Sequence, residues 1–299
     1  MKVSYGAFSF DNELPPLNNQ GIIEIAGESG AGKSQLCVQI MVVNELYNNF
    51  NCYYLSNKEF EYDARIEQMQ EYYEELLNIE HKNIKDRILI QKVLTIDALK
   101  QALISINEMS NGIIIIDGLG GMIQAELNED KDFIQRSQIM NSIIMIIEEL
   151  MKKGNVVIET NNAVDIVPTD NNKIEFDFLS FNGDSNKIII DEDNGNSVSI
   201  DNKRMKAPLG NQWSYEIRTR LFLYKLNHTI SSELDDVTED TKQDIMNGIS
   251  EENVKSLTVR RLVLLKSNEI ETNKLINYVI LTTHICPLLY TIQSSQESQ

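Results

Sequence analysis

Eight consecutive residues, Gly27-Glu28-Ser29-Gly30-Ala31-Gly32-Lys33-Ser34, are of the types and at the spacing that hold a phosphate chain, G-x-x-x-x-G-K-[ST]. Glycines let the backbone turn tightly and approach phosphate oxygens, and successive amides at a helix start form a cradle. Lys33 has the reach for the β and γ phosphates, and the Ser34 hydroxyl is a Mg²⁺ ligand. The bland alternative is an accidental glycine turn. A second feature supports the sharper reading. Gly112-Ile113-Ile114-Ile115-Ile116-Asp117 is an apolar run closed by a carboxylate, the form needed to hold a Mg²⁺-bound water. Alone, such an acidic residue often caps a turn; after the glycine loop, it predicts a Mg²⁺–nucleotide site.

The elements that must position these groups follow from hydrophobic periodicity. Gly21–Ala26 reads as a strand leading into the loop, and Lys33–Tyr47 as a helix leaving it. Asn51–Ser56, Arg87–Val93, Gly112–Asp117 and Asn155–Thr160 read as further strands. Helices are expected near Tyr62–Leu77, Ile96–Met109 and Lys131–Lys153. Strand and helix in strict succession predict an α/β fold with a parallel sheet covered on both faces. After Asn162 the chain becomes polar, Asp165–Met205, with short strands expected at Lys187–Ile190 and Ser197–Asp201. Trp213–Leu226, Ser256–Lys266 and Leu275–Thr283 read as late strands, with an acidic insert at Ser231–Asn253 between the first two. The tail Gln293–Gln299 reads as disordered.

A chain of 299 residues with 42% hydrophobic residues has enough apolar material for a sizeable core. Lys plus Arg number 27 against 45 Asp plus Glu, a net charge of −18. That excludes a protein held to nucleic acid by a generally basic surface, so any DNA contact must be local or shared with a partner. Cys37, Cys52 and Cys286 are scattered, odd in number and without metal-type spacing, which points to a reducing compartment; Cys37 and Cys52, in apolar runs, read as core thiols. No apolar run approaches the ~20 residues of a membrane span, and the reading is of a soluble intracellular chain.

Several stretches, taken in order, resemble the RecA-type recombinases, and specifically the eukaryotic paralogues that act in homologous recombination. They are Gly21–Cys37 (GIIEIAGESGAGKSQLC), Val93–Leu99 (VLTIDAL), Gly112–Asp117, Val156–Ala163 (VVIETNNA), Pro208–Trp213 (PLGNQW), Arg218–Leu223 (RTRLFL) and Arg260–Leu265 (RRLVLL). The Gly-Glu-Ser-Gly form of the loop is most similar to the X-ray-repair cross-complementing branch, third paralogue. The resemblance implies a RecA-like P-loop ATPase core, mostly parallel with late antiparallel strands, that binds ATP and Mg²⁺. On that basis residues 1–20 are a linker remnant, 21–292 the ATPase domain with insertions at 165–207 and 231–253, and 293–299 the tail. Phe8 and Phe10 are either a remnant of the family's docking strand or local packing residues.

Site residues carried over by the resemblance are fewer. Asn162 occupies the place of a Gln that senses the γ-phosphate and is one methylene shorter. Arg65 falls one residue later than an arginine that stacks on adenine; the alternative is a solvated helix charge. Where the family places a catalytic Glu, directly after the second strand, stands Asn57, whose amide cannot take a proton. Glu59 is a substitute base if the turn is remodelled, or an ordinary surface carboxylate. Two DNA-facing loops are implied at Gly118–Asp130 and Asp165–Ala207. Lys203, Arg204 and Lys206 end the second, as phosphate contacts or as offsets to nearby acids.

The functional expectation is an ATP-binding recombinase paralogue in homologous-recombination DNA repair, assisting recombinase assembly on single-stranded DNA, with at most slow hydrolysis. Expected partners are related recombinase or paralogue subunits and, within a complex, single-stranded DNA. Nuclear residence is implied by the resemblance alone. The alternatives are a non-hydrolysing assembly adaptor and, on the same core, a P-loop signalling ATPase or phosphotransferase.

Overall fold

The computed structural model describes residues 3–58, 62–126, 133–166, 174–177, 187–190, 197–200, 203–206, 209–249, 251–272 and 274–291. The Glu59 and Gln293–Gln299 expectations lie outside them, as do parts of both implied DNA loops.

After a short helix α1 (Phe8–Glu13), the chain runs β1 (Ile22–Gly27), α2 (Lys33–Asn48), β2 (Cys52–Ser56), α3 (Tyr62–Leu77), β3 (Ile88–Lys92), α4 (Ile96–Ser105) and β4 (Ile113–Asp117). Next come α5 (Leu119–Glu126), α6 (Phe133–Lys152), β5 (Val156–Asn162), β6 (Val164–Ile166), β7 (Ile174–Asp177), β8 (Lys187–Ile190), β9 (Ser197–Ile200) and β10 (Lys203–Lys206). The last part holds α7 (Gly210–Glu216), β11 (Ile217–Thr229), a 3₁₀ turn (Ile230–Ser232), α8 (Glu239–Gly248), α9 (Glu251–Val254), β12 (Thr258–Lys266), β13 (Leu275–Ile280) and β14 (Ile285–Pro287).

Nine strands form one sheet in the order β14-β13-β12-β11-β1-β5-β4-β2-β3. From β3 to β11 neighbours are parallel, and β11 to β14 are antiparallel. This is the α/β class the periodicity predicts, with the late antiparallel strands that the resemblance implies. Ile113 to Ile116 are all fully buried because β4 is covered on both faces. One face packs Ile23 and Ile25 against α1, α2 and α3 through Phe10, Leu36 and Met69. The other packs Ile114 and Ile116 against α4 to α7 through Leu99, Ile143 and Trp213.

Two local readings change, and a third stretch gains structure. Trp213 lies in a helix and the strand begins only at Ile217. The physical reason is a spacing of four: Leu209, Trp213 and Ile217 are all buried on one side. Within the acidic insert, Val237, Thr241 and Ile245, again four apart, are buried beneath the acidic face of α8. The polar stretch after Asn162 carries more strand than expected, a separate antiparallel sheet ordered β6-β10-β9-β8-β7. At the N-terminal end, Phe10 packs edge-on against Tyr5 and Tyr278, while Phe8 is 82% exposed.

Behind β1 and β5 the second face buries charge. Arg220 of β11 pairs with Glu24 of β1, both essentially inaccessible. Asn161 Nδ2 donates to Glu24 Oε1 at 3.1 Å, and Arg220 Nη1 to Ser214 Oγ at 3.4 Å. Glu159 sits in register directly across from Glu24. Two adjacent buried carboxylates cannot both ionise cheaply. Burial, then the Glu24 charge, pushes the Glu159 acid well above its ordinary value against the pull of Arg220 and Trp213, so Glu159 is held neutral.

A raised folded-state value means that the folded chain holds a proton the unfolded chain has lost, so this contribution weakens as pH rises. Glu159→Gln, which keeps shape and neutrality, is therefore expected to gain stability relative to the natural chain as pH rises above the ordinary 4.5. Urea unfolding from pH 5 to pH 8 checks this; a gap that does not change with pH means the carboxylate is already ionised. Arg220→Ala, which strands Glu24, is expected to cost about 3–5 kcal/mol in the same assay.

Candidate nucleotide-binding site

The loop between β1 and α2 owes its path to glycine at two positions. Gly27 has φ 148°, and a Cβ there would meet the Leu223 carbonyl oxygen at 2.0 Å. Gly32 has φ 105°, and a Cβ there would lie 2.7 Å from Ile280 Cδ1. The conformation is favoured by glycine, and the neighbouring atoms leave no room for a side chain. The loop is tied from outside: Glu28 N donates to Leu223 O at 2.9 Å and Lys225 N to Glu28 Oε2 at 3.0 Å. Tyr278 OH and Arg260 Nε donate to the carbonyls of Ala31 and Gly30, at 2.5 and 3.3 Å. Ser29 and Gly30 form the exposed tip, and Ala31 is buried beneath it. Helix α2 begins at Lys33, so its first amides face the loop interior, where a helix N-terminus favours an anion.

Lys33 is buried, with Nζ donating to the carbonyls of Gly27 at 3.0 Å and Glu28 at 2.7 Å. Burial, reinforced by the Lys58 ammonium, lowers its pKa to about 8 despite the opposing pull of Asp117. Asp117 ends β4 in a row with Ser56 on one side and Thr160 on the other. Its Oδ2 accepts from Ser34 Oγ at 2.8 Å and Tyr54 OH at 2.6 Å; Oδ1 accepts from Thr160 Oγ1 at 2.5 Å. Lys58 Nζ stands 3.5 Å from Oδ1. Burial opposes ionisation of Asp117, yet Lys58, Thr160, Tyr54 and Ser34 together hold its carboxyl below the usual range. A buried, ionised carboxylate touching the Ser34 hydroxyl is a hard-oxygen pair of the kind Mg²⁺ accepts.

The structure thus brings the Gly27 to Ser34 loop and Asp117 together, through the Ser34–Asp117 contact. Asn162 ends β5 in register with Gly27, exposed, and Ala163 N donates to Gly27 O at 2.9 Å. Asn57 lies against Gly118: a Cβ there would meet Asn57 Oδ1 at 2.9 Å. That amide oxygen is buried without a hydrogen-bond partner among the described residues. Arg65 is no free helix charge: Nε donates to Gln35 Oε1 at 2.8 Å and Nη2 to the Leu281 carbonyl at 2.6 Å. It lines a cleft of about 650 Å³ with Ile249, Asn253, Leu257, Ile280 and Leu281, and Ile280 joins that cleft to Gly32. Lys203, Arg204 and Lys206 lie on β10 of the second sheet, with Arg204 in register with Ser199 and Ile166.

Sequence reasoning missed Tyr54, Thr160 and Lys58, which set the charge of Asp117. The signal was present: Tyr54 and Ser56 alternate along one face of β2, as Ile115 and Asp117 do along β4. It needed the strand order, which no local pattern supplies.

A glycine loop closing the first strand of a parallel sheet, a lysine and serine opening the next helix, and an acid ending a nearby strand define a P-loop nucleotide-binding α/β core. The sequence profile of the Rad51 family matches residues 1–211, and the chain belongs to that family of homologous-recombination ATPases. In fold it is similar to the crystal structure of the RadB recombinase, with TM-score 0.58 over 95% of this chain and 98% of that one, at 14% identity. No curated protein matches. No helix among the described residues is long and apolar enough to cross a membrane.

The Lys33 environment makes a prediction. A triphosphate binds the ammonium form, so affinity is expected to fall as pH rises through about 8, by up to about tenfold per unit. Lys58→Ala removes the second cause of the depression and should move the fall to higher pH. Calorimetric titration with ATP between pH 7 and pH 9 checks both; a flat profile rejects the assignment of Lys33 to phosphate.

Proposed function

We propose that this chain is an ATP-binding Rad51-family paralogue, in the likeness of the X-ray-repair cross-complementing branch and its third member. In this reading it assists assembly of related recombinase subunits on single-stranded DNA during homologous-recombination repair. The observation that carries it is the contact of Ser34 with an ionised, buried Asp117 at the mouth of a glycine loop. The loop amides from Gly27 to Ser34 and the Lys33 ammonium would hold the phosphates. Ser34 would ligate Mg²⁺ directly and Asp117 through water, and bound Mg²⁺ would supply charge neutralisation between the β and γ phosphates. Arg65, fixed against Leu281 at the edge of the adjoining cleft, would face the base. Asn162, in register with Gly27 and two residues before the start of β6, would couple the phosphate to the second DNA-facing segment, where Lys203, Arg204 and Lys206 would meet DNA phosphates.

Residues 21–292 would be the ATPase domain, with α1 packed on its core through Phe10 and 293–299 a tail. The reading carries a nuclear location and partners related to this chain. With a net charge of −18, DNA affinity would come from the complex more than from the isolated subunit.

Turnover would be slow. Asn57 stands where the base is expected, and its buried oxygen can accept a hydrogen bond from water without taking the proton. This favours, as a second reading, an adaptor in which ATP cements an interface without being hydrolysed. Phosphate transfer to a protein or small molecule would instead place the chain among P-loop phosphotransferases.

The experiment is a pair of steady-state assays with tightly binding Mg-ATP. Lys33→Ala is expected to abolish nucleotide binding. Asn57→Glu is expected to raise hydrolysis on the order of 100-fold over a slow natural rate. Natural turnover above ~1 per second, lost in Glu59→Gln and kept in Asn57→Ala, would assign the base to Glu59 instead.

A further inference from the structure

Away from the phosphate loop, three side chains of metal-ligating chemistry converge where α8 meets the β13–β14 hairpin. Asp244, His284 and Cys286 each offer one ligand atom, and these lie within 4.8 Å of one another. Asp244 Oδ2 is 2.9 Å from His284 Nε2. Cys286 Sγ donates weakly to the Pro287 carbonyl oxygen at 3.7 Å. All three are placed by the fold: Asp244 by the helix, Cys286 by its pairing with Val279, and His284 by the turn joining the strands.

The partners around the trio point to a ligand set as well. Tyr72 of α3 donates its hydroxyl to the other Asp244 oxygen, Oδ1, at 3.0 Å. The Tyr72 ring stacks on the His284 ring with centroids 4.0 Å apart and planes 8° from parallel. His284 Nδ1 lies 2.9 Å from Thr283 Oγ1, so the imidazole is oriented from its far side and Nε2 is the nitrogen turned to the cluster. Ligands to a structural metal are typically held in this way, each by a partner outside the first contacts. A carboxylate–imidazole tether alone would need no thiol. Here the third donor is a buried cysteine, within 4.8 Å of the other two ligand atoms.

We propose that Asp244, His284 and Cys286 form a binding site for one Zn²⁺-class transition-metal ion, with its fourth position on the partly exposed side of Asp244. One oxygen, one imidazole nitrogen and one sulfur make a borderline-soft donor set that suits Zn²⁺ and excludes Mg²⁺ and Ca²⁺. In a tetrahedral site the donor atoms stand about 3.3–3.8 Å apart. The separations here, from 2.9 Å to at most 4.8 Å, bracket that range. Binding replaces the thiol proton with the metal, so one proton leaves and apparent affinity rises with pH. The ion would clip the 281–284 turn to α8. That turn carries Leu281, whose amide donates to the His284 carbonyl at 2.8 Å and whose own carbonyl holds Arg65. The ion would therefore fix one wall of the cleft beside the phosphate loop.

The test uses the full chain, stripped with chelator and free of nucleotide, titrated with Co²⁺ as a spectroscopic stand-in. A thiolate-to-cobalt charge-transfer band saturating at one equivalent, and its displacement by Zn²⁺, is expected. The band should vanish in Cys286→Ser and persist in Cys52→Ala. Asp244→Asn, whose amide oxygen can still accept from Tyr72, should weaken Co²⁺ binding at least about tenfold and serves if Cys286→Ser does not fold. No band at one equivalent in the folded natural chain, or one that survives in Cys286→Ser, overturns the proposal.

Discussion

A single ionised carboxylate, buried in the middle of a sheet, is what the rest of the site is built around. Asp117 has nearly no contact with solvent, and an unpaired charge there would be neutralised by protonation. It stays an anion because β2, β5 and α2 each deliver a hydroxyl to it and Lys58, two residues past the end of β2, delivers an ammonium. None of those donors is near Asp117 in sequence. Their convergence follows from the parallel register Ser56–Asp117–Thr160, so sheet order and site charge are one constraint viewed from two sides. The glycine loop obeys the same geometry, since Gly27 pairs with Asn162 two residues beyond Thr160.

That constraint explains which parts of the molecule were legible in the sequence. The phosphate loop is a local motif, and its eight residues carry both the turn chemistry and the ligands. The strand ending in Asp117 is local too, because burial on both faces writes itself as an unbroken isoleucine run. Tyr54 and Thr160 are not local: a tyrosine in a strand and a threonine at a strand end read as ordinary β residues until neighbours are known. The misread stretch around Trp213 and the unread helix α8 were hidden for a different reason. Around Trp213 a helical spacing of four is hidden among residues of high strand propensity, and in α8 an apolar stripe is diluted by acidic neighbours. Over both stretches, tertiary burial decides and single-residue preference does not.

The buried charges behind the site have a separate logic. Glu24 and Arg220 satisfy each other, and Asn161 links that pair to the amide of Gly120 at the start of α5. Asn161 thus reads two neighbours at once: its carbonyl holds the helix that follows Asp117, and its amide holds the ion pair under β1. A shift of β5 along its own axis would break both contacts, while Asn162, one residue on, lies at the phosphate loop. The sheet therefore offers a stiff connection between the loop, the helix after β4 and the strand that leads into the second sheet. Glu159 adds a carboxylate at the centre of this network that the ion pair does not require, and it is held there in its neutral form.

The late strands complete the site from the other side, and they do so through turns and carbonyls more than through side-chain charge. β11 fixes the loop's entry through the Leu223 carbonyl, and β12 and β13 fix its tip through Arg260 and Tyr278. The turn after β13 then reaches past the loop to hold Arg65 through a backbone oxygen. Arg65 is consequently positioned by two segments more than two hundred residues apart in sequence, α3 and the 281–284 turn, and its orientation is only as secure as that turn. A turn of this kind, at the edge of a sheet and next to a three-residue strand, has little intrinsic rigidity. The Asp244–His284–Tyr72 contacts on its far side supply the anchoring that its own backbone does not, which makes the edge of the sheet part of the cleft's architecture.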